Sequence, residues 1–267
     1  MENYFYETRS GRMILKAIQK THFDRVLVKI LKSGLSKPYL YLYRKNNEIP
    51  YTDSQKKFHS FEEFFERRRE LGPVDTTPNH LISPCDSLLS VYPISKDSVF
   101  SIKGSHYQIK DFLEDENLAK KYDGGTCLVF RLCPSDYHYY IYIDDGYQGK
   151  NHYIEGELHS VQPIACATYP VYTLNRRSWC LMETENFGPV LQTEIGALIV
   201  GGINNYHENI HMKRGMEKGR FELSGSTIVL LFEAGRIELL PELKEKTKGD
   251  KEVRIEMGQY IGNGQRQ

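Results

Sequence analysis

Gly215-Met216-Glu217-Lys218-Gly219-Arg220-Phe221-Glu222-Leu223-Ser224-Gly225-Ser226-Thr227-Ile228-Val229-Leu230-Leu231-Phe232 is the stretch on which the fold reading turns. Its first half, to about Gly219, reads as a charged turn containing glycine. From Ser226 to Phe232 it is an apolar, β-rich run, which predicts a strand. Gly225-Ser226-Thr227 sits at the entry to that strand. Taken alone, it reads as a tight turn opening the strand. It is not the G-x-S-x-G elbow of esterases, because position 224 is Ser and no glycine follows within two residues.

Outward from this stretch, short strands with turn punctuation run from about Leu81 onward. Candidates are Ser87 to Val91, Val99 to Lys103, Cys127 to Cys133, Tyr139 to Ile143, Ser160 to Ala167, Val171 to Thr173, Ser178 to Glu183 and Val253 to Glu256. Val190 to Ile203 is apolar and rich in small residues, which predicts a buried central strand. Asp144-Asp145-Gly146 reads as a turn. The 19 tyrosines, against one Trp, also favour strands. Before them, Ser60 to Arg68 reads as a short helix. Ser60 is its N-cap, Glu63 completes a capping box, and Phe61, Phe64 and Phe65 form its buried face. Gly72-Pro73 ends it.

The chain of 267 residues has zero formal net charge, which excludes a uniformly basic nucleic-acid binder and an acidic solvating protein. The balance hides an asymmetry. From Arg9 to Lys45 there are ten Lys or Arg and a single acid, Asp24. Met13 to Leu15, Ile18, Val26 to Val28, Ile30 and Leu31 recur there at helical spacing, with lysines and arginines between them. Residues 1–57 therefore read as a basic amphipathic helical segment, suited to an anionic lipid surface or to packing on the rest of the fold. No run is long and apolar enough for a membrane span, and Met1 to Arg12 lacks a signal-peptide core, so an intracellular location is expected. The fold class is α+β: a β-rich core carrying an N-terminal amphipathic helical segment.

Two other residue patterns carry weaker signals. His207-Glu208-Asn209-Ile210-His211 matches H-E-x-x-H, but that zinc motif needs a long helix, and here it follows Gly201-Gly202 and Asn204-Asn205. A surface loop after a strand is the better reading, and no metal is expected. Cys85, Cys127, Cys133, Cys166 and Cys180 are odd in number, with no metal-finger spacing, and read as small buried hydrophobes.

An ordered set of segments resembles the phosphatidylserine decarboxylase family. Phe61 to Arg67 is similar to its F-x-x-F-F-x-R helix, and Ser83-Pro84-Cys85-Asp86 to its S-P-x-D element. Lys103-Gly104 with Tyr107 resembles K-G-x-x-Y, and Asp136-Tyr137-His138 resembles D-Y-H. Phe187-Gly188, Glu194 to Ala197 and Val200-Gly201 resemble its F-G, E-V-G-A and V-G segments. Gly215, Glu217, Gly219 and Phe221 with Gly225-Ser226-Thr227 are similar to its self-cleavage signature. Glu252 to Gly262 is similar to its C-terminal E-x-x-V-x-x-G-x-x-I-G.

The resemblance, which spans about residues 58 to 262 and makes 58–267 the catalytic domain, implies a self-processing lyase. In that family the serine hydroxyl at the Ser226 position attacks the preceding carbonyl, here Gly225, turning an amide into an ester. Gly225, with no side chain, permits the close approach. Elimination and hydrolysis then leave a pyruvoyl group made from Ser226, an electron sink for decarboxylation. Asp86 is implied to orient a histidine in a triad with Ser226, and His138 to serve in decarboxylation. Phosphatidylserine at an anionic membrane surface is the implied substrate, phosphatidylethanolamine the product, the cytoplasmic face the implied location, and a homodimer the implied assembly.

The chain departs from the family at one chemically decisive place. The family pattern is D-Y-H-x-x-H, and Ile141 stands where the second His is expected to complete the triad. Isoleucine transfers no proton, so either another group, His138 or His159, activates Ser226, or self-cleavage is slow or absent. Ser87 also replaces a usual Gly, and Gly72 a usual Arg before Pro73. Two other readings stay open: a non-processing homologue that binds lipid or regulates, and a pyruvoyl decarboxylase of a soluble amino acid.

Overall fold

The computed structural model describes residues 2–20, 23–46, 57–102, 105–157, 159–197, 202–223 and 226–265. At its centre three strands lie antiparallel: Gly188–Ile195, Ser226–Phe232 and Thr126–Leu132. Ser226 pairs with Leu132, and Thr227 lies between Arg131 and Ile195. Around them a nine-stranded antiparallel sheet is completed by Arg177–Thr184, Gly146–Gln148, Ile210–Met212 and His152–Ile154 on one side. Ser87–Pro93 and Val253–Ile255 complete it on the other.

The Ser226–Phe232 run is apolar throughout because both its faces are covered. Ile228, Leu230 and Phe232 join Leu128, Phe130 and Leu132 in one apolar cluster. Val229 and Leu231 join Cys127, Val129 and Leu191 in another, as the two-residue period of a strand requires. A three-stranded sheet of Gly202–Asn205, Glu217–Glu222 and Tyr139–Ile141 packs Tyr140, Ile141 and Phe221 into the first cluster. A second three-stranded sheet, His80–Ile82, Tyr260–Gly264 and Ile237–Leu239, contributes Leu81, Ile82, Leu239 and Ile261.

The expected α+β architecture with N-terminal helices is therefore present, with corrections at particular elements. The charged stretch before Ser226 is not only a turn. The turn is confined to Lys213–Met216, and Glu217–Glu222 is a strand. Gly219 permits this because a Cβ there would sit 2.4 Å from the Asn204 carbonyl oxygen and 2.7 Å from the Tyr140 hydroxyl. A Gly219→Ala chain is therefore expected to lose about 1–3 kcal/mol of stability, measurable as an earlier urea midpoint with an unchanged slope.

Ser160 to Ala167 and Val171 to Thr173 are not strands; they contain the helices Pro163–Cys166 and Val171–Leu174. In both, a proline at or just before the first turn presets φ, and short apolar runs do not separate helix from strand by period. The expected long strand Val190 to Ile203 ends at Ile195, and Gly202–Asn205 belongs to a different sheet. Leu198 to Gly201, like Lys103 and Gly104, lie outside the described residues.

At the N-terminus, Glu2–Glu7, Arg9–Lys20, Phe23–Lys32 and Lys37–Asn46 are helices. No helix among the described residues is long and apolar enough to cross a membrane. Leu31 and Leu40 are buried with Phe61, Phe64, Phe65 and Leu223. Lys32 pairs with Glu62 at 2.9 Å and with Glu222 at 3.4 Å. Tyr6 is buried, and its hydroxyl accepts from the Ser160 amide at 2.7 Å. The Phe61–Glu66 helix begins as its sequence demands. Glu63 N–H donates to Ser60 Oγ at 3.1 Å, while the Glu63 carboxylate accepts from the His59 amide at 2.6 Å.

Candidate active site

Four segments converge on the end of the sheet where Ser226 begins its strand. Ser226 is buried and faces Leu132 across the ladder. Its side chain shares the face of Ile228, toward the three-stranded sheet, because strand residues two apart point the same way. Gly225, the other partner of the expected cleavage bond, lies outside the described residues with Ser224.

From Leu132 the chain turns through Cys133 to Asp136, a turn closed by the Asp136 amide on the Cys133 carbonyl at 2.8 Å. The Asp136 carboxylate tightens it by accepting from the Cys133 amide at 2.7 Å and from Arg254 at 2.6 Å. The turn delivers His138 to the start of the Tyr139–Ile141 strand. There the His138 carbonyl accepts from the Phe221 amide at 2.9 Å. His138 is thus hydrogen-bonded to the strand that enters the 225–226 junction, and it follows directly from the strand paired with the one that leaves it.

The His138 ring is fully buried and lies on Phe65, with centroids 4.0 Å apart. Its Nδ1 is 2.8 Å from the Asp136 carbonyl, which can only accept, so Nδ1 carries the proton. The lone pair is therefore on Nε2, which is buried and has no hydrogen-bond partner among the described residues. Burial first, and then the charge of Arg67, push the ring's pKa down to about 3, so it is neutral at physiological pH. Arg67 is held by the Phe64 and Phe65 carbonyls at 3.2 and 3.3 Å and donates to the same Asp136 carbonyl.

Ile141, at the position of the missing histidine, donates its amide to the Pro84 carbonyl at 2.9 Å. It is thereby bound to the Ser83–Asp86 loop, but its buried side chain joins the apolar cluster. Among the described residues, Asp86 is not hydrogen-bonded to a histidine. Its carboxylate pairs with Arg69 at 2.9 Å and accepts from the Met257 amide at 2.8 Å. Arg69 also lies over the Tyr137 ring, 4.6 Å from its centroid. So Ser226 and His138 border one junction, while Asp86 anchors the loop beside it.

His159, the other histidine considered, donates or accepts at Nε2 with Glu157 at 2.5 Å and stacks on Tyr169. Tyr169 packs with the cluster on the sheet face away from the Ser226 side chain. The H-E-x-x-H segment is not a helix: His207 lies in irregular chain, Glu208 and Asn209 form a bend, and His211 is in the Ile210–Met212 strand. Phe65 against His138 and Arg69 on Asp86 were not legible as partners, because both depend on long-range packing. Four of the five cysteines are buried, and Cys133 is half-buried.

Comparison with known proteins bears on these residues. The family model described as phosphatidylserine decarboxylase matches residues 61–263. The chain is 40% identical over 267 residues to "Phosphatidylserine decarboxylase proenzyme 2" of Clostridium acetobutylicum, covering 97% of this chain and 90% of the relative. It is 37% identical to the phosphatidylserine decarboxylase proenzyme of Clostridium beijerinckii, with 96% and 90% covered. The corresponding proenzyme of Clostridium perfringens is 35% identical, with 98% and 92% covered.

Proposed function

The chain belongs to the phosphatidylserine decarboxylase family, and from that premise we propose that it cleaves itself between Gly225 and Ser226 and decarboxylates phosphatidylserine to phosphatidylethanolamine. The observation that carries this reading is the state of His138. It is a neutral imidazole, fixed in one tautomer, with an open Nε2 beside the strands that flank the junction.

In this reading Nε2 takes the proton of the Ser226 hydroxyl as Oγ adds to the Gly225 carbonyl carbon. The Gly225–Ser226 C–N bond breaks, and the proton passes to the departing nitrogen, leaving an ester and a free amine. Loss of the Ser226 Cα proton then expels the Gly225 carboxylate from Cβ, which ends the upstream chain. Water replaces the nitrogen as ammonia and leaves the ketone. The site fits the pyruvoyl group so made. Ser226 is buried at the head of a strand whose remaining residues are paired on both sides, so the new terminus is already anchored. That group supplies an electron sink for the pair left when CO₂ departs. Phe65 packs against the His138 ring, and Arg67 donates to the same Asp136 carbonyl that accepts from its Nδ1.

Denaturing mass spectrometry tests the reading. Two fragments are expected, one ending at Gly225 and one beginning at position 226 with a blocked N-terminus. An intact mass of 31.1 kDa after prolonged incubation would overturn it, in favour of a lipid-binding homologue that no longer processes.

We place the enzyme peripherally on the cytoplasmic face of a membrane, as a homodimer. The support for the membrane is a set of exposed apolar residues on the Phe23–Lys32 and Lys37–Asn46 helices and the turn between them. Leu35 is 77% exposed, Tyr41 69%, Leu42 54% and Val26 51%, next to Lys29, Lys37 and Lys45. A surface that is both apolar and basic suits anionic lipid. Sedimentation with phosphatidylserine-containing vesicles is expected to be strong at low salt and weaker at high salt. Leu35→Glu with Tyr41→Glu should release the protein. Binding that ignores both salt and these substitutions would remove these helices from the account.

A further inference from the structure

The strands on either side of the 225–226 junction belong to different sheets. Among the described residues, Glu217–Glu222 pairs with Gly202–Asn205 and Tyr139–Ile141, whereas Ser226–Phe232 is central in the large sheet. Only positions 223 to 225 join them, so the described ends of that link, Leu223 and Ser226, are placed by two different sheets. The offset between those sheets is held by a buried polar network. Lys218 Nζ lies 2.7 Å from Glu194 Oε1, and neither side chain has any exposed surface.

Asn205 ties the pair to the facing sheets. Its Oδ1 accepts from Lys218 at 2.9 Å and from the Tyr140 hydroxyl at 2.9 Å. Its Nδ2 donates to Glu194 Oε2 at 3.0 Å and to Ser178 Oγ at 3.2 Å. Gln192 donates to Glu194 Oε1 at 2.8 Å. Burial would by itself neutralise the amine. The Cys180 thiol and the Glu194 carboxylate outweigh it and hold the lysine above its ordinary pKa.

Glu194 is directly opposite Ile228, two residues beyond Ser226 and on the same face. Lys218 precedes the junction in the other sheet. The network thus connects the strand that enters the junction to the strand alongside the one that leaves it. A buried ion pair adds little stability over an apolar pair of the same volume, but it fixes direction and register where apolar contact does not. The cost of that fixed offset is visible at Leu223. This bulky residue has φ of 32°, outside the regions open to it, and its buried side chain is held among Leu31, Leu40, Phe61, Phe64 and Phe65.

We propose that Lys218 and Glu194 are positioning residues for self-cleavage: they hold the strand that ends at Glu222 and the strand that begins at Ser226 at a fixed offset, under which Leu223 is strained, and that offset aims the cleavage step. The inference rests on the self-processing reading above and adds to it the device that aims the bond. Its test is the double variant Lys218→Met with Glu194→Leu, which removes both charges and leaves neither partner alone. The expected result is cleavage slowed about tenfold or more, followed as fragment mass over time. The melting temperature should stay at or above that of the parent chain. A merely structural pair would lower the melting temperature and leave cleavage of the folded fraction at the parental rate, and that outcome would overturn the proposal.

A second pair of variants covers a failure to fold. Leu223→Ala and Leu223→Gly lose nearly the same packing, but only glycine accepts positive φ without strain. The glycine variant should cleave more slowly than the alanine variant. Equal rates would also overturn the proposal. A parent chain that never cleaves defeats the self-processing reading itself, whereas a cleaving parent with an equally fast double variant defeats this inference alone.

Discussion

A Ser226→Ala chain is expected to stay whole and to show no decarboxylation above background. Alanine has no oxygen to add to the Gly225 carbonyl, so no ester forms, and without the ester there is no carboxylate to eliminate and no ketone. The effect is complete rather than graded, because the same atom is both nucleophile and precursor of the electrophile. The fold should survive. Ser226 is one of seven residues in its strand, and the apolar contacts on both faces come from Ile228 to Phe232. A Ser-to-Ala change there is expected to move stability by no more than about 1 kcal/mol. Mass spectrometry and a melting curve on the same sample separate the two quantities. A Ser226→Ala chain that still splits at this position would show that another residue supplies the nucleophile. A Ser226→Thr chain retains the hydroxyl, and it should cleave more slowly because its branched Cβ restricts the rotamer that reaches the carbonyl.

The parts of this site that were readable in the sequence are those set by local chemistry. The apolar period of Ser226 to Phe232 announced its strand, and the Ser60/Glu63 box announced its helix with the three phenylalanines inward. The absence of an imidazole at Ile141 was visible at once. Its consequence was not, because the Asp86 carboxylate has been taken up by Arg69, seventeen positions earlier. Glu217 to Gly219, the start of the Glu217–Glu222 strand, reads in the sequence as part of a turn because charge and glycine are turn signals. In the folded chain its lysine is buried against Glu194, and its glycine admits a tyrosine. A buried charge cannot be told from a solvated one until its partner is known, and here the partner is twenty-four residues away. Leu223 gave no signal at all, since nothing in its identity predicts a positive φ. Sequence therefore names Ser226, His138 and Asp86 as candidates but not the side chains packed against them, such as Phe65 on His138 and Arg69 on Asp86.

His138→Gln is the second substitution with a large expected effect. Glutamine can still donate to the Asp136 carbonyl and fill the space against Phe65, but it offers no nitrogen lone pair at the Nε2 position. Decarboxylation should fall by about 10²-fold or more, and self-cleavage should slow in parallel if Nε2 takes the Ser226 proton. Cleavage at the parental rate with turnover lost would confine His138 to the lyase half-reaction. Full retention of both would remove it from the mechanism. The same histidine has an acid signature. Its pKa is about 3 in the folded chain against 6.5 when free, so between these values the unfolded chain binds the extra proton. Stability from this group is therefore complete above pH 6.5 and is lost as pH falls toward 3, with a slope of at most about 1.4 kcal/mol per pH unit. The glutamine variant should lack that share of the slope, so its stability relative to the parent chain improves as the solution is acidified. A difference between the two chains that stays constant from pH 7 to pH 4 would mean that His138 is solvated and ordinary, and would leave the open nitrogen without the buried setting on which its role depends.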